Sequence, residues 1–410
     1  MSEVVERFLR YVSIDTQSDE DSKTVPSTMK QHDLAAMLFK ELEEMGASQV
    51  VYDKENCYVY ARIPATDGGE RDYTLGFISH MDTSPETSGK DVRPRRVEDY
   101  DGEDIVLNEE LGIVLRTEVF PEIKSYKGRT LITTDGTTLL GADDKAGVAE
   151  IMTMAKWLIS HPEISHGPVA IAFTPDEEIG AGTDRFDLSK FGADIAYTVD
   201  GGAEGELEYE TFNAASAMAE VRGVNVHTGT AKNKMINAAG VAVKFDSLLP
   251  VEQRPEYTEG REGFFHLMDI SGSTEYAKLS YLIRDHDRYR FEQKKELIRR
   301  TADYLNAIYG EGTVTVAIKD TYYNMREKIE PDHMYLIDRA CECMRSLGIE
   351  PKISPIRGGT DGASLSFKGL PCPNLFTGGH NYHGRYEYCC VETMEKSVRL
   401  LIELCKTVMR

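Results

Sequence analysis

Five short apolar runs in this chain each end in an acid or a histidine. Gly76-Phe77-Ile78-Ser79 leads to His80-Met81-Asp82, and Thr138-Leu139-Leu140-Gly141-Ala142 leads to Asp143-Asp144-Lys145. Ala170-Ile171-Ala172-Phe173-Thr174-Pro175 leads to Asp176-Glu177-Glu178, and Ile195-Ala196-Tyr197-Thr198-Val199 leads to Asp200-Gly201-Gly202. Much later, Asn374-Leu375-Phe376-Thr377-Gly378-Gly379 leads to His380 and His383. Runs of this length suit strands covered on both faces, the strands of an α/β sheet. Residues at the carboxyl ends of such strands converge on one sheet edge. Imidazole and carboxylate gathered there suit zinc or a similar divalent metal. The number of candidate ligands is too high for one tetrahedral ion, which points to two.

The surrounding pattern sets the domain organisation. The spacing predicts a helix over 27–45, with Ser27 as N-cap and Gly46 beyond its end. Strands are expected at 57–63, 74–79, 168–174 and 194–199, and a helix at 145–160 directly after Asp143-Asp144. From 216 to 320 the order becomes strand (216–226), helix (235–249), strand (264–271), strand (276–285), helix (288–309), strand (312–319). That βαββαβ order is a compact α+β domain, and it holds none of the five metal-type segments. Helices resume at 330–347 and 391–408, with a short one opened by Gly358-Gly359-Thr360-Asp361-Gly362. Residues 83–128 read as irregular loops plus a hairpin. The expected fold class is α/β: a discontinuous domain, 1–208 with 324–410, on a mixed sheet flanked by helices. An α+β domain, 209–323, is inserted into it.

Composition narrows the partners. With 47 basic and 69 acidic residues the net charge is −22, which argues against nucleic acid and against an anionic membrane surface. No run of 18 apolar residues is present to span a bilayer, and the amphipathic, charged start does not read as a signal peptide. Seven cysteines without CxxC spacing read as free thiols of a cytoplasmic protein. Glycine pairs such as Gly201-Gly202 do not open a helix in the manner of a nucleotide site.

Separations of 63 residues from His80 to Asp143, 34 from Asp143 to Glu177 and 183 from Asp200 to His383 make each element weak alone. Together they are hard to explain structurally, because buried acids without cations are costly. In His80-Met81-Asp82, Gly141-Ala142-Asp143-Asp144-Lys145, Asp176-Glu177-Glu178, Asp200-Gly201-Gly202 and His383 the chain resembles the dizinc M20-type metallopeptidases, and within them the tripeptide aminopeptidases. The resemblance covers the whole chain, inserted domain included. It implies two Zn2+ per subunit, with His80 and Asp200 on one ion, Glu178 and His383 on the other, and Asp143 bridging. Chemistry alone does not choose between Asp143 and Asp144; the family pattern selects Asp143, and a strained peptide, with cis as one option, is expected between them. The pattern also selects His383 over His380, which would line the pocket. Glu177 would be the general base acting on a bridging water, and Asp82 the carboxylate that holds the His80 tautomer.

On the substrate side the resemblance implies a short peptide with a free α-amine. Arg284 and Arg357 are candidates for its C-terminal carboxylate; ion pairs of Arg284 with Asp285 or Asp287, and of Arg357 with Asp361, are the structural alternatives. His227 would stabilise the oxyanion, in several relatives from the opposite subunit, so the inserted domain would serve as lid and homodimer interface. Two other readings stay open: a related dizinc amidase, carboxypeptidase or deacylase, and a non-catalytic binding protein on the same fold.

Overall fold

The computed structural model describes residues 2–409. The chain divides into two compact units: Met1–Tyr209 with Glu327–Ser354 and Thr360–Arg410, and Glu210–Arg326 with Pro355–Gly359.

The first unit is built on a mixed eight-stranded sheet. Its order is Ser48–Asp53, Tyr58–Ile63, Val169–Thr174, Leu75–His80, Ile195–Gly201, Asn374–Phe376, Glu206–Glu208, Lys352–Ile353. Leu75–His80 pairs in parallel with both Val169–Thr174 and Ile195–Gly201, and Asn374–Phe376 runs parallel to the latter. Four carboxyl ends therefore open on the same sheet edge. Side chains alternate between two cores, as strand geometry requires. Phe77, Ile171, Phe173 and Tyr197 join Phe8, Ile151, Met154 and Leu401 of the helices on one face. Ile78, Ala170, Ala172 and Ala196 meet Phe186, Phe191 and Leu365 on the other. Each large side chain so buried stabilises the fold by about 1.5–3 kcal/mol, and both faces are covered, which is why the strands read as unbroken apolar runs.

The helix Ala142–Ser160 starts at the sheet edge itself, with non-helical angles at Asp143 and Asp144 and a cis peptide between them, one of the options expected. A Cβ at Gly147 would collide with the Val199 carbonyl oxygen and the Asp144 carboxylate. Glycine there lets the helix pass close to the strand that ends in Asp200. The helix expected from Ser27 begins instead at Gln31, although Gly46 ends it in the left-handed conformation as anticipated. Ser27 does not cap it because its N–H and hydroxyl both donate to Asp176, at 2.7 and 2.5 Å. The 83–128 region contains the hairpin Ile105–Asn108 with Ile113–Leu115, and also a strand Arg95–Val97 and a 3-10 turn Pro121–Tyr126.

The second unit has a four-stranded antiparallel sheet in the order Phe264–Gly272, Tyr276–Asp285, Asn213–Arg222, Val314–Tyr322. Helices Ala238–Ser247 and Arg288–Tyr309 contribute Phe245, Phe291, Ile298 and Leu305 to a core with Leu279 and Ile283. Residues 355–359 belong with this unit because Ile356 N–H donates to Glu210 O and Phe212 N–H to Gly358 O. All seven cysteines are buried and free. Among the described residues no helix is long and apolar enough to cross a membrane.

Candidate metal centre

Three strand ends, the start of the helix Ala142–Ser160 and one loop of the first unit bring His80, Glu178, Asp200, Asp143 and His383 together. His80 Nε2 lies 2.9 Å from Asp143 Oδ1 and 3.5 Å from Asp200 Oδ1. His383 Nε2 lies 3.3 Å from Asp143 Oδ2 and 2.9 Å from Glu178 Oε2. The two oxygens of Asp143 thus face different histidines. His80, Asp143 and Glu178, and likewise His80, Asp144 and Asp200, each offer one ligand atom within 4.8 Å of the others.

Asp144 is already satisfied. Its Oδ2 accepts from the Ser79 hydroxyl and, at 3.2 Å, from the His80 N–H, while Oδ1 accepts from Gly147 N–H at 3.3 Å. It fixes the main chain at His80, and Asp143 keeps its oxygens for the cluster. His80 Nδ1 lies 3.1 Å from the Asp82 carbonyl oxygen and 3.3 Å from its Oδ1. A proton on Nδ1 leaves the Nε2 lone pair aimed at carboxylate oxygens, an arrangement that a bound cation would satisfy. Asp82 also accepts Glu177 N–H at 3.0 Å and Glu178 N–H at 3.2 Å, so it reaches both the histidine and the Glu-Glu turn.

The charges agree with a divalent ion. Burial pushes Asp143 up, but the hydrogen bonds and charges of His383 and His80 outweigh it and hold the carboxyl well below the usual carboxylate range. Burial and the charge of Asp143 push Glu178 up to about 8 and Asp200 up to about 6, and burial raises Glu177 well above its ordinary value. His80 is pulled down by burial, but Asp200 and Asp143 outweigh this and raise it. Glu178 Oε1 is buried with no hydrogen-bond partner among the described residues. A surplus of buried carboxylate and an orphaned carboxylate oxygen are what bound cations would relieve, and the N/O donor set suits zinc.

The other expected site residues are placed differently. His380 Nε2 is 2.5 Å from the Tyr126 hydroxyl, and its ring stacks on Tyr388 with centroids 4.8 Å apart. Burial brings it down to about 4, which favours the neutral ring. His227, Arg284 and Arg357 lie in the second unit. His227 is exposed, and its Nδ1 accepts Gly229 N–H at 3.2 Å. Arg284 Nη1 donates to Ile283 O at 3.1 Å and Ala215 O at 3.4 Å. Arg357 donates to Gly260 O, Glu262 O and Thr258 Oγ1 at 2.8–3.0 Å. The acids proposed as alternative partners are engaged elsewhere: Asp285 pairs with Lys294 at 3.5 Å, Asp287 accepts Arg290 N–H at 2.8 Å, and Asp361 accepts from Thr174 Oγ1 at 2.7 Å.

The supporting roles of three acids, two of them inside the quoted motifs, escape a reading of the sequence. Asp144 orients His80. Asp176 anchors the Glu-Glu turn to Ser27 and to Gln31, whose Nε2 donates at 2.6 Å. Glu387 accepts three backbone N–H groups of the Asp143 loop. Most of their partners are distant in sequence, so the motifs mark Asp144 and Asp176 without their roles, and nothing local marks Glu387.

Residues 133–407 match the model of peptidase family M20/M25/M40. A relative from Caldanaerobacter subterraneus subsp. tengcongensis, Peptidase T, is 58% identical over 404 residues, 98% of each chain. The crystal structure of aminopeptidase PepT from Bacillus cereus ATCC 10987 superposes with a TM-score of 0.75 at 22% identity, covering 98% of this chain and 97% of that one. A tripeptidase from Staphylococcus aureus subsp. aureus Mu50 superposes with a TM-score of 0.76 at 21% identity, with the same coverage. These two structures show the same fold.

Proposed function

This chain belongs to peptidase family M20/M25/M40, and we propose that it is a dinuclear metalloaminopeptidase that removes the N-terminal residue of tripeptides. The observation that carries the dinuclear reading is the two-sided Asp143 carboxylate, with one oxygen toward His80 and the other toward His383. His80 and Asp200 would hold one zinc ion, Glu178 and His383 the other, and Asp143 both. When bound, the pair supplies Lewis-acid polarisation of a peptide carbonyl and a water acidified to a pKa of about 7.

The remaining steps belong to the chain's own side chains. Glu177 has its main chain fixed by Asp82, and it takes a proton from the attacking water and delivers it to the leaving amine. Asp82 keeps the Nδ1 proton of His80 in place. In the second unit, Glu210–Arg326 with Pro355–Gly359, His227 accepts at Nδ1, which keeps the proton on Nε2. That N–H is suited to an oxyanion, from the same or the opposite subunit of a homodimer. Arg284 is the better candidate for the substrate carboxylate. Its described hydrogen bonds use Nη1 alone, whereas Arg357 donates from both terminal nitrogens. The Peptidase T name of the relative and the tripeptidase of the same fold support a tripeptide substrate. A cytoplasmic location suits the free thiols.

The test is a substrate panel on zinc-loaded protein: tripeptides, dipeptides, N-acetylated tripeptides and N-acylated amino acids. Release of the N-terminal residue from unblocked tripeptides is expected. Equal turnover of the N-acetylated peptides contradicts an aminopeptidase and favours a deacylase or amidase. No turnover with two ions bound favours a binding protein.

A further inference from the structure

We propose that Glu387 is a positioning residue of the metal centre, its carboxylate holding the main chain of the Asp143 loop in register with the loop that carries His383. The inference rests on the dinuclear reading above. Glu387 is 1% exposed. Its Oε2 accepts Leu140 N–H at 2.6 Å and Gly141 N–H at 2.8 Å, and its Oε1 accepts Asp143 N–H at 3.1 Å. Both oxygens are thus committed to one stretch of backbone, the stretch that aims Asp143.

Glu387 itself sits just before the strand Tyr388–Cys390, which pairs antiparallel with Leu131–Thr133. His383 precedes it by four residues, and Glu387 N–H donates to Gly384 O at 3.2 Å. One carboxylate therefore ties together the segments that carry the shared ligand and the last ligand, which lie far apart in sequence. Hydrogen bonds from N–H groups to a charged acceptor are strong and directional. A glutamine cannot replace it, because its NH2 group would face an N–H donor. An aspartate keeps two acceptors on a shorter stem. The contacts of Glu387 are to backbone, so it acts through Asp143 and not on substrate.

The test compares Glu387→Gln and Glu387→Asp with the unsubstituted full chain. Zinc affinity is measured by chelator competition, the ligand field by the visible spectrum of the cobalt-loaded protein, and kcat and KM on a tripeptide. Glu387→Gln is expected to weaken metal binding by about 10–100-fold, the usual effect of removing an outer-shell partner. It should also alter the cobalt spectrum and lower kcat, with KM changed less than about twofold; Glu387→Asp should recover part of the affinity. Unchanged affinity and spectrum in Glu387→Gln, whatever its Tm, overturn the proposal. If the glutamine variant does not fold, hydrogen exchange in the unsubstituted metal-free protein decides. Slow exchange at Leu140, Gly141 and Asp143 supports the clamp, and free exchange there contradicts it. Failure of the unsubstituted protein to bind two ions would be the failure of the dinuclear reading instead, and exchange alone then judges Glu387.

Discussion

The carboxylate of Asp82 accepts the backbone N–H of Glu177 at 3.0 Å, and the same side chain reaches His80 Nδ1 at 3.3 Å. The strand end that presents a metal-type histidine therefore also fixes the turn that presents the proposed base. Asp82→Asn keeps the shape but loses an acceptor for the Nδ1 proton. It is expected to lower kcat by about 10–100-fold and to weaken zinc binding, both measured on the same preparation. Activity and affinity within twofold of the unsubstituted enzyme contradict an orienting role.

Glu177 and Glu178 are adjacent but placed apart. Glu178 Oε2 lies 2.9 Å from His383 Nε2, while Glu177 takes no part in those ligand contacts. Glu177→Gln is expected to retain both ions in elemental analysis and to lose activity by about 10²–10⁴-fold, the usual contribution of general acid–base catalysis. Glu178→Gln is expected to lose an ion. The reverse pattern means that the two roles are exchanged.

His227 tests the homodimer. His227→Ala is expected to lower kcat by about 10²–10³-fold, as for loss of an oxyanion donor. If the histidine acts across an interface, mixing His227→Ala with Glu177→Ala subunits restores sites that hold both intact residues. Activity that never rises on mixing and re-equilibration places His227 in its own subunit's site.

Glu150 lies outside the catalytic cluster and gives a stability prediction. It is fully buried between helices; Oε2 meets the Ser397 hydroxyl at 2.5 Å, and Oε1 has no described partner. Burial raises it well above the ordinary value of 4.5, although the Ser397 bond opposes this. The folded chain therefore keeps a proton that the unfolded chain releases above 4.5. Its contribution is fully present below that value and falls by about 1.4 kcal/mol per pH unit as pH rises toward the folded value. Glu150→Gln lacks this loss, so its Tm advantage over the unsubstituted protein should grow from pH 5 to pH 8. A Tm difference that stays constant with pH contradicts a buried, protonated Glu150.

The parts legible in the sequence are those that a strand determines locally. Phe77 and Ile78, or Ile171 and Ala172, read as continuous apolar sequence because both sheet faces are covered. The parallel order then brings His80 and Asp200 to one edge without further information. What a local reading misses is set by partners far along the chain. Ser27 looks like a helix cap, but it serves Asp176 149 residues away. Glu387 belongs to no motif, and its N–H partners lie 244–247 residues earlier. Arg357 reads as a candidate for a substrate carboxylate, but the 258–262 loop supplies its acceptors. Local patterns cannot rank such tertiary partners, because the competing hydrogen bonds are similar in energy.

Metal stoichiometry of the purified chain tests the central claim most directly, measured by elemental analysis alongside Asp143→Ala. Two divalent ions per chain are expected, and Asp143→Ala should weaken both, since His80 and His383 each face one oxygen of that carboxylate. A single ion per chain, or an Asp143→Ala protein that keeps both at unchanged affinity, contradicts a centre bridged by Asp143.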